Sequence, residues 1–189
     1  MKGLILLLPV LLLASCAGPS PTPYAGHPGI LRYDPANRPA LGLWEIDHVA
    51  RQVAAVAGRR ISGSVQQSIF PNGPVASIQE TSGGDRILVN PRAAREIPLN
   101  AWAFIFGHEF AHQVYNFGHR GNTNPQQELR ADIIGAGYAR TAGYKLVPYL
   151  HWMLSRRPDS SPSHGDLHWR AREMARHFKV PTAIEVTYR

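Results

Sequence analysis

Hydrophobic and polar residues recur along this chain with two different periods, and the change between them predicts a mixed α+β domain. Across residues 42–57 the apolar side chains recur every three or four positions, which is typical of a helix with one buried face. Across residues 60–90 the period shortens to two, and turn-forming residues interrupt it at 71–74 and 82–85. This stretch therefore predicts three short strands in an antiparallel meander.

The helical period then returns and continues through most of the remaining chain. Asn100 is the predicted N-cap of a helix that Gly118 ends. The apolar stripe of this helix consists of Trp102, Ile105, Phe106, Phe110 and Val114. Three more helices and a short final strand are predicted at residues 125–142, 145–157, 167–178 and 184–188. The expected fold is one small α+β domain over residues 41–189, with the strands ahead of the helical part.

Two histidines lie within this apolar helix, in the sequence His108-Glu109-Phe110-Ala111-His112, which has the form HExxH. Because the histidines are one helical turn apart, both imidazoles can reach one metal ion. Glu109 lies beside them, where its carboxylate can take a proton from a metal-bound water. The pattern is short and also arises by chance in unrelated proteins, so a coincidental match is the alternative.

A catalytic zinc ion usually has three protein ligands, and Glu128 is the candidate for the third. The longer pattern HExxHxxGxxH is excluded, because Tyr115 stands at its glycine position and Gly118 at its third histidine. The sequence also contains no Gly-Thr-x-Asp loop. Glu128 and Asp132 are one turn apart on the next predicted helix, so Asp132 can accept a hydrogen bond from the outer N–H of a ligand histidine. The alternative places both carboxylates on a solvated helix face.

HExxH on one helix and ExxxD on the next resemble the gluzincin metallopeptidases. The chain is most similar to the family of the CAAX prenyl protease, the heat-shock membrane peptidase and periplasmic proteins that assist outer-membrane barrel assembly. Residues 161–170 resemble that family's Ser/Thr-x-His-Pro-x-x-x-x-Arg segment, with Gly165 in place of the proline and Arg170 as the arginine. The resemblance implies a zincin-like domain, one zinc ion, endopeptidase activity, and a role for His164 in stabilising the tetrahedral intermediate. The alternative for His164 is a loop histidine ahead of a helix.

The same resemblance implies an edge strand beside the cleft, which would hold an extended peptide by β-addition. The candidate strand consists of Arg86, Ile87, Leu88, Val89 and Asn90. An edge strand with only a structural part is the alternative. The predicted activity is hydrolysis of peptide bonds in misfolded or envelope proteins by metal-activated water. Two other classes remain open, a zinc-binding scaffold or chaperone with little proteolysis and a metal-free lipoprotein with a coincidental motif.

The first residues predict export and lipid anchoring in a bacterial envelope. Residues 1–15 have a positive start and an apolar run that is too short to span a membrane, as in a signal peptide. This run ends in Leu-Ala-Ser-Cys, which resembles a lipobox, and Cys16 is the only cysteine. Ala17 follows it, which by the lipoprotein sorting rule indicates the outer membrane, facing the periplasm. Residues 16–40 are rich in proline and glycine and predict an extended tether. An ordinary signal peptide is the alternative.

The distribution of charged residues indicates that nucleic acid is not a partner. The chain has 20 lysine and arginine residues against 13 aspartate and glutamate residues, a net charge of +7. Its basic residues are nearly all scattered arginines, and no basic run interleaves with aromatic residues as in a nucleic-acid surface. The expected partners are therefore a polypeptide substrate and the membrane that holds the lipid, without nucleic acid. Attraction to anionic lipid or acidic partners stays open.

Overall fold

A computed structural model describes residues 38–117, 124–157 and 165–180, together with the backbone of residues 160 and 161. Six helices and five short strands lie within these ranges. In chain order they are α1 (Leu43–Val56), β1 (Gln66–Gln67), β2 (Ala76–Thr81), β3 (Gly84–Val89), α2 (Pro91–Glu96), α3 (Leu99–Tyr115), α4 (Pro125–Thr141), α5 (Leu146–Ser155), β4 (Ser160–Ser161), β5 (Gly165–Asp166) and α6 (Leu167–Phe178). The predicted α+β class is confirmed. None of the described helices is both long and apolar enough to cross a membrane.

The main sheet has the order β1-β3-β2, and this order corrects two expectations. β3 pairs antiparallel with β2 across a tight turn, but its other side pairs in parallel with β1. The sheet is therefore not a meander, and the residues 86–89 belong to the central strand rather than to an edge. The physical reason is that the chain on both sides of β1 runs along β3. Before β1 the amide of Ser62 donates to the carbonyl of Asp85, and after β1 the amide of Ser68 donates to that of Val89.

Asn90 also departs from the predicted strand, because it is the N-cap of α2. Its side-chain oxygen accepts hydrogen bonds from the amides of Arg92 and Ala93, which satisfies two amides of the first helical turn. At the start of α4, Asn124 and Gln127 form a capping box. Both helices therefore begin at positions that asparagine side chains determine.

The helix that carries both histidines begins two residues earlier than predicted, after Pro98, and its C-cap is Asn116, whose φ of 51° is left-handed. Asn100 is not its cap. The Asn100 side chain is buried, donates to the carbonyl of Lys145 at 2.7 Å and accepts from the Lys145 amide at 3.0 Å. These two bonds attach the first turn of α3 to the start of α5. The polar side chain that resembled a local cap therefore makes a long-range connection.

α3 is the central helix of the domain, in contact with α1, α4, α5 and β2. Because neighbours surround its middle, it buries four large aromatic side chains, Trp102, Phe104, Phe106 and Phe110. Phe104 also stacks on Tyr149 of α5, with ring centroids 4.5 Å apart. His112 is consequently buried, and the side chain of His108 is only 14% exposed.

α3 and α4 touch backbone to backbone at Gly107 and Gly135. A Cβ atom built on Gly107 would lie 2.3 Å from the carbonyl oxygen of Gly135, and one on Gly135 would lie 2.4 Å from the carbonyl carbon of Gly107. Real side chains do not tolerate such distances, so this crossing requires glycine on both helices. It brings His108, which follows Gly107, next to the face of α4 that carries Asp132.

We expect Gly135→Ala to destabilise the domain by about 1–3 kcal/mol, because the new methyl group would force the two helix backbones apart. Gly137 on the same helix is the matched control, since a Cβ there meets nothing within 4 Å. Gly137→Ala should be neutral or should stabilise the domain by up to about 1 kcal/mol, because alanine favours a helix. Urea unfolding of both variants measures the difference, and equal midpoints would contradict the close crossing.

Candidate metal centre

The two histidines of α3 point their Nε2 atoms at each other, 3.0 Å apart. Nδ1 of His108 lies 2.8 Å from Oδ1 of Asp132, and Nδ1 of His112 lies 3.1 Å from the carbonyl oxygen of Phe117. Carboxylate and carbonyl oxygens only accept hydrogen bonds, so each Nδ1 carries the proton and donates it. In the neutral rings both Nε2 atoms then present lone pairs to the same point, an arrangement that a cation between them stabilises.

Glu128 approaches the same point from α4. Its Oε2 lies 3.4 Å from Nε2 of His108, and its Oε1 lies 3.5 Å from Nε2 of His112. The side chain is 2% exposed, and Oε2 accepts no hydrogen bond from any residue that the structure describes. A buried carboxylate oxygen without a hydrogen bond is costly unless a cation compensates it.

Together these observations define a group that can hold a metal ion. One donor atom from each of His108, His112 and Glu128 lies within 4.8 Å of the other two. Two imidazole nitrogens and one carboxylate oxygen form a ligand set that suits zinc and similar divalent ions, and three ligands leave a coordination position open. The residues therefore fit a metal ion, and the donor set alone does not identify which one.

Asp132 and Arg170 form a buried ion pair behind His108. Nε of Arg170 donates to Oδ2 of Asp132 at 2.6 Å, and Nη2 donates to Oδ1 at 2.7 Å. Burial by itself would raise the pKa of Asp132, but Arg170 and the hydrogen bond from His108 hold that pKa well below its usual range. Asp132 therefore stays ionised and fixes the ring of His108, the arrangement expected for an outer partner of a metal ligand.

Arg170 has a place in this cluster that the sequence did not indicate. In the sequence it is only the last residue of the segment 161–170, and the pattern there assigns it no role. In the structure its guanidinium is buried and spans two carboxylates, because Nη1 also lies 3.4 Å from Oε2 of Glu128. The one feature of the sequence that indicates this role is an arginine on a helix with apolar neighbours, because such an arginine needs a buried partner.

The two ionisable side chains at the start of HExxH have raised pKa values. Burial opposes protonation of His108, but the hydrogen bond to Asp132 and the nearby carboxylate of Glu128 outweigh it and raise the pKa of His108 to about 9. Burial and the negative charge of Glu128 raise the pKa of Glu109 to about 7, although His108 and Arg170 act in the opposite direction. The carboxylates therefore favour a cation at the imidazoles, and Glu109 can exchange a proton near neutral pH.

The edge strand beside α3 is β2, not the predicted strand at residues 86–90. β2 is an outer strand of the main sheet and contacts α3. Nε2 of Gln113, the residue after His112, donates to the carbonyl oxygen of Ile78 at 3.3 Å. This bond holds the outer strand against the helix that carries the histidines.

Two predicted functional residues, His164 and Cys16, lie outside the described residues, as does the final strand expected at residues 184–188. Comparison of the chain with models of known protein families, with curated proteins and with solved structures finds no match. The resemblance to the gluzincins therefore depends on the spacing of the motifs alone. The support for any chemistry comes from the geometry of His108, His112 and Glu128.

We expect the wild-type protein to bind about one divalent ion per chain, and His112→Ala or Glu128→Ala to remove this binding, because each change deletes one of three donors. His151→Ala is the matched control, since His151 is exposed on α5. Metal content of protein purified without added metal, followed by calorimetric titration with zinc, measures the effect. Full occupancy in the Glu128→Ala protein would show that α4 contributes no ligand.

Proposed function

We propose that this chain is a zinc-dependent endopeptidase of the bacterial cell envelope that hydrolyses peptide bonds with water. One observation carries the proposal, the position of an ionisable carboxylate next to a three-donor metal group. His108, His112 and Glu128 supply the donors, and Glu109, adjacent in sequence to His108, has a pKa near 7. A site that only stored a metal would not need this fourth group.

Zinc is the ion proposed, because two imidazoles and one carboxylate are the ligands of several zinc peptidases. When bound, a zinc ion supplies Lewis acidity, which polarises a peptide carbonyl and lowers the pKa of a water molecule toward neutrality. His108 and His112 would hold it through Nε2, since their Nδ1 atoms are committed to Asp132 and the Phe117 carbonyl. The Asp132–Arg170 pair keeps the ring of His108 in that orientation.

Glu109 is the proposed general base and then the general acid. As a carboxylate it accepts a proton from the attacking water, and as a carboxylic acid it delivers that proton to the leaving amine. Burial, which raises the pKa of Glu109, favours the acid form that the second step needs. His164, which lies outside the described residues, is proposed to donate a hydrogen bond to the developing oxyanion.

The proposed substrate is an extended polypeptide from a misfolded or envelope protein. Since β2 is an outer strand of the described sheet and lies next to the metal helix, it is the strand best placed to pair with such a segment. Cys16 is the proposed lipid attachment point, and residues 16–40 the tether that lets the domain work near the outer membrane.

A second function has some support from the surface. Ile69 and Phe70, between β1 and β2, are 85% and 66% exposed. Exposed apolar side chains of this size favour contact with unfolded polypeptides, as in a zinc-binding scaffold or chaperone that cleaves little or nothing. The presence of Glu109 beside the metal group favours the peptidase.

Glu109→Gln should leave metal content unchanged and should lower kcat for peptide hydrolysis by about 10²- to 10⁴-fold, because the amide cannot take or return the proton. Glu173→Gln is the control, since Glu173 lies on α6 and pairs with Arg176. The measurement is cleavage of a fluorogenic peptide library with and without chelator. Cleavage by the Glu109→Gln protein at the wild-type rate would exclude the proposed role.

A further inference from the structure

A cleft of about 1020 Å³ opens beside the metal group, between α2, the end of α5 and the start of α6. Trp152, Ile97 and Leu167 contribute an apolar part of its wall. Arg170 contributes the part nearest to the proposed metal ligands, since its Nη1 lies 3.4 Å from Oε2 of Glu128. The cleft is therefore connected to the proposed metal ligands through Arg170, although none of the three donor residues lines it.

The described wall of the cleft is strongly basic. Its charged residues are one glutamate and four arginines, Glu96, Arg92, Arg156, Arg157 and Arg170. Two of the arginines have carboxylate partners, because Arg92 pairs with Glu96 at 2.9 Å and Arg170 pairs with Asp132. The wall consequently carries more positive charge than its own carboxylates balance.

Arg156 and Arg157 supply that surplus. Both are exposed at the end of α5, and neither forms an ion pair with a carboxylate of the described residues. The guanidinium of Arg156 lies over the ring of Trp152, 5.6 Å from its centroid. The backbone carbonyl oxygen of Arg156 accepts a hydrogen bond from Nε2 of His168 at 2.8 Å, which fixes the end of α5 relative to α6. The guanidinium of Arg156 is thus placed beside the apolar wall of the cleft.

We propose that this cleft binds a carboxylate of the polypeptide substrate, so that the enzyme prefers acidic peptides. This inference rests on the proposed peptidase function. Arginine suits the role, because its planar fork of donors matches a carboxylate, and the apolar wall suits the aliphatic part of a glutamate side chain. The arginines line a concave wall, which favours a side chain or a chain end over a flat lipid surface. An internal acidic side chain and a C-terminal carboxylate share this chemistry.

The test uses the full-length protein and four fluorogenic peptides, a neutral sequence and its single-glutamate derivative, each with a free and an amidated C-terminus. We expect glutamate to raise kcat/KM about tenfold at low salt, and the ratio to fall as salt screens the charges. The Arg156→Gln/Arg157→Gln double variant should lose this ratio. The control is Arg95→Gln/Arg172→Gln, which removes the same charge from exposed positions outside the described wall of the cleft.

The outcomes separate the inference from the function on which it rests. Equal cleavage of all four peptides, or a preference that survives in the double variant, overturns the inference and leaves the peptidase intact. Cleavage of no peptide overturns the peptidase. Fluorescence anisotropy then decides the inference, which requires tighter binding of the acidic peptide by the wild type than by the double variant. If amidation of the C-terminus removes the preference, the carboxylate that the cleft binds is the C-terminal one. Binding of the cleft arginines to phosphatidylglycerol vesicles without any peptide preference would overturn the proposal.

Discussion

The backbone contact between Gly107 and Gly135 is the constraint on which the candidate site depends. Packed helices usually keep their axes about 8–10 Å apart, at a distance that their side chains determine. Here neither helix has a side chain at the crossing, so α3 and α4 meet at the backbone. Asp132 lies one turn before Gly135 and Glu128 one further turn back, on the same face of α4. Only at this close approach do such short carboxylate side chains reach the imidazoles of α3.

The charges of the buried cluster explain why a divalent cation suits it. Glu128 and Asp132 are buried carboxylates and Glu109 is a partly buried one beside them, and Arg170 is the positive side chain described among them. With neutral histidines and all three carboxylates ionised, two negative charges stay uncompensated. Burying them costs several kcal/mol for each ion in real proteins. A doubly charged metal ion would balance this charge. The same carboxylates, Asp132 and Glu128, raise the pKa of His108.

The parts of this structure that local spacing determines could be predicted from the sequence, and those that depend on distant pairing could not. His108 and His112 share a face because one helical turn separates them, and the same holds for Glu128 and Asp132. The order of the strands depends on the chain ahead of β1 lying along β3, which no local pattern encodes. The partner of Arg170 is likewise 38 residues away in sequence, on another helix. The position of β2 at the edge followed from the same non-local pairing.

Arg170 also connects the metal group to the basic cleft, so the two are not independent parts of the domain. Its Nε and Nη2 atoms donate to Asp132, and its Nη1 atom approaches Glu128. The same side chain lines the cleft that Arg156 and Arg157 make positive. Buried ion pairs of this kind add little net stability, because desolvation offsets most of the attraction. What such a pair does provide is a defined geometry between elements. It holds α6 against α4, so that the wall of the cleft and the ring of His108 are positioned by the same carboxylate.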